Sequence, residues 1–330
     1  MNIIESIDAL GADYAGCAVT VGNFDGVHLG HQEIIRQVCL AAQKRGAKSA
    51  AMTFFPHPVA ILHPEKSPGM LTPPELKEEL LKKCGLDALI VLKTSYELMN
   101  LSGQDFIRQY LISPLSPGIV IEGNDFNFGY GRSDSIETLK KLGAENNFDV
   151  KIVPAKEIEY DGQNNKISST LIRHLLHQGK VAAAAEALGR NYRLIGEVHS
   201  GRGRGKQLGF PTANIAPVEQ IIPAEGVYAG FVEIGSVCEQ VCGDGEKLPA
   251  IFSIGRAKTF ISDHPLLIEA HILGKMVGDL YGKWLAMDFV KYIRAQQRFE
   301  NENKLSEQIA KDCEIARQIL DHKTTTHNTV

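Results

Sequence analysis

Ten consecutive residues, Gly22-Asn23-Phe24-Asp25-Gly26-Val27-His28-Leu29-Gly30-His31, combine the groups that phosphate chemistry uses. Gly22, Gly26 and Gly30 let the backbone turn sharply and approach a ligand closely. His28 and His31 are three apart where a helix is expected to begin, so they share one face. A helix start offers unpaired N–H groups and positive potential to an anion. Two imidazoles beside it can donate hydrogen bonds to triphosphate oxygens as charge develops. The plain alternative is a glycine-rich turn with two solvent-exposed histidines. The length of the run, set between a strand and a helix, favours the anion site.

Two further runs offer anion cradles. Ile167-Ser168-Ser169-Thr170-Leu171-Ile172-Arg173 reads as a helix N-terminus with a hydroxyl cap and an arginine whose planar fork suits phosphate. Taken alone, the run is better explained by ordinary helix capping with a surface arginine. In the second half, Gly201, Gly203, Gly205 and Gly209 punctuate a loop that also carries Arg202, Arg204 and Lys206 and runs into Phe210-Pro211-Thr212-Ala213-Asn214. Backbone N–H groups in such a loop can wrap a phosphate. Thr212 and Asn214 offer two neutral oxygens of the kind that Mg²⁺ accepts. The spacing is not that of the P-loop, GxxxxGK[ST]. A flexible basic loop for RNA is the competing reading, and no aromatic-rich strand surface supports it.

These runs must be held by regular elements. Up to about residue 180, short apolar runs alternate with amphipathic stretches. Strands are expected at Cys17–Val21, Ala47–Phe54, Ala88–Leu92, Ile119–Glu122 and Val150–Val153. Helices are expected at Leu29–Arg45, Pro74–Cys84, Ser102–Leu111 and Ser135–Asn146. In the first helix Ile34, Val38, Ala41 and Ala42 form the expected buried face. The alternation predicts an α/β domain, a parallel sheet covered by helices, with ligands beyond the carboxyl ends of the strands after Val21, Phe54 and Glu122. Val181–Leu188 reads as a helical connector ended by Gly189. From about Asn191 the rhythm becomes short, strand-like and glycine-punctuated, which predicts a small β-barrel or sandwich. A last helix carries Leu305, Ile309, Cys313, Ala316 and Leu320 on one stripe.

Composition excludes several classes. The chain has 330 residues, 44% of them hydrophobic, which suits two domains better than one core. Its formal net charge of −4 gives no general field for nucleic acid or membranes. Six scattered cysteines do not form a disulfide framework, and the lone spacing of Cys238 and Cys242 argues against a zinc site. Neither a leader pattern nor a membrane-length apolar run is present, so a cytoplasmic location is expected, with neither nucleic acid nor membrane as partner. A weak homo-oligomer is left open.

On these motifs the chain resembles bacterial bifunctional riboflavin kinase/FAD synthetases. Gly22–His31 and Ile167–Arg173 resemble the FMN adenylyltransferase module, joined by Thr53-Phe54-Phe55-Pro56-His57-Pro58 for its TFxPHP segment and Gly123-Asn124-Asp125-Phe126-Asn127-Phe128-Gly129 for its GxDFxFG segment. Gly205-Lys206-Gln207-Leu208-Gly209-Phe210-Pro211-Thr212-Ala213-Asn214 resembles the riboflavin kinase signature on its small barrel. The resemblance implies a Rossmann-like nucleotidyltransferase domain over residues 1–188 and a β-barrel kinase domain with a C-terminal helix over 189–330. It implies phosphorylation of riboflavin to FMN and adenylylation of FMN to FAD with release of pyrophosphate, using ATP as co-substrate and Mg²⁺ as cofactor.

It further implies that His28, His31 and Arg173 hold the ATP phosphates, helped by Gly22, Asn23, Phe24, Asp25, Gly26, Gly30, Ser168, Ser169 and Thr170. Gly201, Gly203, Gly205, Gly209 and Pro211 would wrap phosphate in the kinase half. Asp125, Phe126, Phe128, Phe54, Pro56, His57 and Arg294 would face flavin. Thr212 and Asn214 would hold Mg²⁺, and Glu269 would be the base for the riboflavin 5′-hydroxyl. Without the resemblance, Glu269 reads as a solvated strand residue. Five positions depart from the family pattern: Asn127 stands for Arg, Asp134 for Gly, Ser253 for Asn, Lys258 for Pro and Gly274 for an acid. The last three motivate a second reading, a FAD synthetase with an impaired kinase half. A non-catalytic flavin-binding protein is a third, and an adenylyltransferase for a nicotinamide or pantetheine phosphate would leave the second module unexplained.

Overall fold

The computed structural model describes residues 1–62, 64–200, 205, 208–256, 266–275 and 277–327. Gly201, Arg202, Gly203, Arg204, Lys206 and Lys258 therefore lie outside the described residues. The chain forms two compact units, one of Met1–Gly69 with Lys77–Ser168, the other of Met70–Leu76 with Ser169–Val330.

The first unit is built on a parallel six-stranded sheet: β1 (Asn2–Ile4), β2 (Ala18–Val21), β3 (Ser49–Phe55), β4 (Ala88–Lys93), β5 (Ile119–Gly123) and β6 (Asp149–Val153), in the order β1-β4-β3-β2-β5-β6. Strand side chains alternate between faces. Val19, Val21, Ala50 and Met52 accordingly enter one apolar cluster, and Ala18, Ala51 and Leu89 enter another. Helix α1 (Leu29–Arg45) matches its expected span and buries Val38 and Ala42 as expected, together with Ile35, while Ile34 and Ala41 are partly buried against the same cluster. Gly46 ends it in the left-handed conformation at φ 62° and donates to the Ala42 and Gln43 carbonyls. Helix α2 (Pro74–Lys83) follows β3, and α3 (Ile136–Asn146) follows β5. The helix expected at Ser102–Leu111 forms one turn, Gly103–Phe106, then widens into a π-helical stretch, Ile107–Ile112, just ahead of Pro114, whose missing N–H breaks the ladder there. A polar hairpin, β7 (Glu157–Tyr160) with β8 (Gln163–Lys166), closes the unit.

In the second unit, helices α4 (Ser169–His177) and α5 (Val181–Leu188) precede a closed antiparallel barrel. Its strands are β9 (Tyr192–His199), β10 (Ala213–Ile215), β11 (Gly226–Gly235), β12 (Leu248–Arg256), β13 (Leu266–Ile272) and β14 (Trp284–Arg294). Tyr192, Tyr228, Phe252 and Phe289 are fully buried, and the Phe252 and Phe289 rings lie 4.9 Å apart. A buried ionic group ties three strands together. Arg193 donates to Glu233 at 2.6 Å and to Asp288 at 2.8 Å, and Lys247 approaches Asp288 at 3.0 Å. The closing helix α6 (Glu302–His327) packs Cys313, Ala316 and Leu320 against Ala229, Ile251 and Val290.

The strand order reverses between β2 and β5, where an open α/β sheet parts to form a ligand crevice. The two strands pair only at Ala18–Ile119 and Val19–Val120. Beyond that, the Glu122 side chain replaces the missing partner: Val21 N–H donates to its Oε1 at 2.6 Å and Thr20 Oγ1 to its Oε2 at 3.4 Å. Burial pushes this carboxyl well above the usual carboxylate range, against the pull of those two hydrogen bonds. An acid whose folded pKa is raised contributes stability at low pH and loses it as pH rises through the folded value. Glu122→Gln keeps the acceptor and removes the charge. Chemical denaturation of both proteins at several pH values is expected to show the parent losing stability relative to the variant as pH rises above about 4.5, by about 1.4 kcal/mol for each unit of elevation. A gap independent of pH would contradict this account.

Candidate active sites

In the first unit the chain turns from β2 through Gly22–Val27 into α1, whose cap is His28. His28 Nδ1 accepts the His31 N–H at 3.3 Å, so the neutral ring carries its proton on Nε2. The His28 and His31 rings stack 3.6 Å apart at 16°, and Phe24 meets His31 edge-on at 5.3 Å. Gly30 makes room, since a Cβ there would lie 3.1 Å from His28 Cε1. Burial, then the charges of His28 and Lys77, hold His31 well below the usual imidazole range, so it is neutral at pH 7. Asn23 is fixed from two sides. Its carbonyl accepts from Thr53 Oγ1 at 3.3 Å and from Lys77 Nζ at 3.0 Å, and its amide nitrogen lies 3.1 Å from His57 Nε2. Among the described residues, the buried side-chain polar atoms without a hydrogen-bond partner are Asn23 Oδ1 and His31 Nδ1. Both belong to this one turn; His31 Nδ1 can donate to an anion in one tautomer, whereas Asn23 Oδ1 can only accept.

The other expected residues of this unit fall into three groups. Phe54 lies at the end of β3 and Pro56 just beyond it, after a cis Phe55–Pro56 peptide bond, and His57 is brought to Asn23. Phe126 and Phe128 stack 5.3 Å apart, with Phe128 buried in the apolar cluster. Asp125 is ion-paired with Lys166 at 2.6 Å. Partial burial raises its pKa, but the hydrogen bond and charge of Lys166 outweigh this and hold it below its ordinary value. Two departures now have local reasons. Asn127 closes a turn by donating to the Asp125 carbonyl at 2.8 Å, and Asp134 accepts the Gly103 N–H at 3.1 Å. Asp25 is buried, and Gly26 takes φ 88°. The run Ile167–Arg173 straddles the two units: Ser168 ends the first, while Ser169, Thr170 and Arg173 stand on α4 of the second.

In the second unit the site is assembled by strand register. Asn214 on β10 lies directly opposite Glu269 on β13, and Thr212 Oγ1 donates to Glu269 Oε1 at 3.4 Å. Opposed residues share a face, so Thr212, Asn214 and Glu269 come together as expected from the motif. Burial raises the Glu269 pKa, partly offset by Thr212. Gly205 packs under the turn: a Cβ there would lie 2.5 Å from the Phe210 carbonyl, and Phe210 N–H donates to the Gly205 carbonyl at 2.9 Å. Gly209 takes φ 84°. The guanidinium of Arg294 is engaged with Asp312 at 2.6 Å and with the Ala295 carbonyl at 3.0 Å, binding β14 to α6. Ser253, opposite Glu269, accepts from Gln296 at 3.0 Å, and Gly274 takes φ 73°, where an acidic residue would be strained. Among the described residues no group of three His, Cys, Asp or Glu could hold a metal, so a cation here would rely on neutral oxygens and phosphate.

A family model described as FAD synthetase matches residues 11–171, and one described as riboflavin kinase matches residues 188–320. A bifunctional riboflavin kinase/FMN adenylyltransferase of Escherichia coli (strain K12) is 34% identical over 322 residues, covering 97% of this chain and 98% of the relative. The chain belongs to this family. A relative of the same description from Listeria monocytogenes is 35% identical over 296 residues, 89% of each chain. A solved structure from Streptococcus pneumoniae, described as a macrolide-efflux protein, superposes with a TM-score of 0.82 at 31% identity, over 96% of this chain and 98% of that one. Among the described residues of this family member no helix is long and apolar enough to cross a membrane.

Lys77, Glu122 and His271 escaped the sequence reading as site residues. Each is a single residue with no motif of its own, and its role depends on a neighbour distant in sequence. His271 stands two residues beyond Glu269 on β13. Its Nδ1–H donates to the Pro211 carbonyl at 2.8 Å and its ring meets Phe210 edge-on at 5.6 Å. This clamps the turn bearing Thr212 to the strand bearing Glu269. His271→Ala should lower kcat for FMN formation about tenfold, as expected for one lost hydrogen bond, with FAD formation from FMN unchanged. Steady-state kinetics from each starting flavin check this, and an unaltered kinase kcat would count against the clamp.

Proposed function

We propose that the two units carry two separate active sites, the first adenylylating FMN to FAD with release of pyrophosphate and the second phosphorylating riboflavin to FMN, both from ATP. The observation that carries this reading is the segregation of the site residues. His28, His31 and Asn23 converge in the first unit, and Thr212, Asn214 and Glu269 converge in the second. The family matches support an adenylyltransferase domain over 1–188 and a kinase domain over 189–330.

In the first site the FMN phosphate attacks the α-phosphorus of ATP. That phosphate is already largely a dianion near neutral pH, so alignment and charge neutralisation suffice without a strong base. His28 donates from Nε2, and His31 and the N–H groups of Gly22–Gly30 complete the phosphate contacts within this unit, with Ser168 adding a hydroxyl. Asp125, Phe126, Phe128, Phe54, Pro56 and His57 form the flavin side. In the second site Glu269 takes the proton of the riboflavin 5′-hydroxyl, and its raised pKa makes it a stronger base than a free carboxylate. Gly201, Gly203, Gly205, Gly209 and Pro211 cradle phosphate, and Arg294 stands on the flavin side through the frame it forms with Asp312.

Thr212 and Asn214 present neutral oxygens beside a carboxylate, a donor set that suits Mg²⁺. Bound there, Mg²⁺ would supply charge neutralisation on the transferred phosphate. On this reading the working enzyme is a cytoplasmic protein capable of weak self-association.

Glu269→Gln should abolish FMN formation while FMN-to-FAD conversion stays near normal, and His31→Ala should do the reverse. Flavins separated by chromatography over time, from reactions started with riboflavin or with FMN in the presence of Mg-ATP, read both activities. Loss of both activities in either variant would refute separate sites.

A further inference from the structure

Lys77 has no part in the motifs that located the first site, yet its ammonium lies within it. From α2, Nζ donates to the Asn23 carbonyl at 3.0 Å, its one hydrogen-bond partner among the described residues. An ammonium carries three donors in all. The charges that act on it define its surroundings. Asp25 from the phosphate turn and Glu78 from its own helix favour its protonation, while its own charge opposes protonation of His31, which also faces His28. Burial depresses the ammonium below the usual lysine range despite the two acids.

His28 and Lys77 thus both oppose a positive charge on His31. In the same turn His31 Nδ1 is buried without a partner. Positive charge gathered in one small buried turn is unfavourable alone and is relieved by a polyanion. Lys77 is also held by the same carbonyl that positions Asn23, so its ammonium and the unpartnered polar atoms are set by one fixed point of backbone.

We propose that Lys77 is a third arm of the ATP phosphate site, turning its free donors to the triphosphate beside His28 and His31. This rests on the reading that the turn Gly22–His31 holds those phosphates. As the FMN phosphate oxygen bonds to the α-phosphorus, the bond from the α-phosphorus to the bridging oxygen breaks and pyrophosphate leaves with the electron pair. Lys77 donates hydrogen bonds to that growing charge and transfers no proton.

The test measures FAD formation from FMN against ATP concentration, between pH 6 and pH 10, for the parent, Lys77→Met, Lys77→Arg and His31→Ala. Lys77→Met should lose about 10²-fold or more in kcat/KM for ATP, the usual effect of removing one such donor, with riboflavin phosphorylation unchanged. Lys77→Arg, which keeps its charge throughout this range, should recover most of the loss. It should also hold its activity at alkaline pH where the parent declines through the lowered Lys77 pKa. Circular dichroism and thermal melting establish that each variant is folded; if Lys77→Met is not, the pH profile of Lys77→Arg decides. Activity of folded Lys77→Met within about threefold of the parent overturns the proposal, as does a Lys77→Arg profile that declines with the parent's. An active His31→Ala would instead overturn the phosphate-site reading beneath it, so the two failures are distinct.

Discussion

Phe24 and Val27 hold left-handed backbone conformations, at φ 47° and 40°, which aromatic and β-branched residues tolerate only when packing over-determines them. Both side chains are almost fully buried in the apolar cluster beneath α1. Burial of the two side chains, each worth about 1.5–3 kcal/mol, offsets a backbone cost of about 1–3 kcal/mol apiece. The consequence is geometric. A turn anchored by its own hydrophobic residues cannot drift, so the N–H groups, the Asn23 amide and the two stacked imidazoles reach the crevice already aligned. Glu122 does the same from below, replacing a ladder partner where β2 and β5 part. Donors aligned before the ligand arrives need little reorganisation during the reaction, and that is the largest electrostatic contribution a site without a strong base can make.

The barrel reaches a comparable end by different means. A closed antiparallel sheet fixes its register all the way round, so the pairing of Asn214 with Glu269 follows from β13 also pairing with β12 and β9 with β14. Slipping one residue would send every inward side chain outward, and the aromatic interior of Tyr192, Tyr228, Phe252 and Phe289 prohibits that. The face that carries Asn214 and Glu269 is therefore specified by the core on the opposite face. Gly205 lets the turn lie directly against Phe210, and His271 holds Pro211 to β13.

Much of this was legible in the sequence, and the parts that were not share a cause. Helices α1 and α5 stood at their expected bounds because each has a periodic face and a glycine stop. Strands of three residues, β1 and β10, are too short to show any period. The β7–β8 hairpin was missed although Asp161-Gly162, both at positive φ, is a strong two-residue turn signal; its second strand is wholly polar, and the alternation of Glu157–Tyr160 spans only four residues. On α1 the expected Val38 and Ala42 are buried, and Ile35 is more deeply buried than the expected Ile34 because the direction of the face is set by the sheet it covers. The motif histidines and Glu269 could be named from their runs. Lys77, Glu122 and His271 could not, since what gives each its role is one contact with a residue on another element.

The two sites differ in their treatment of charge, and the difference follows from the nucleophiles. In the site proposed for adenylylation, a phosphate monoester arrives with its negative charge, and burial keeps His31 neutral among the donors gathered there. In the site proposed for phosphorylation, a primary alcohol arrives with its proton, and burial that would be a liability elsewhere raises the pKa of Glu269, the proposed base. The same physical effect, desolvation of an ionisable group, thus acts in opposite directions on an imidazole and a carboxyl. In the first site it withholds a positive charge until an anion arrives, and in the second it strengthens a base.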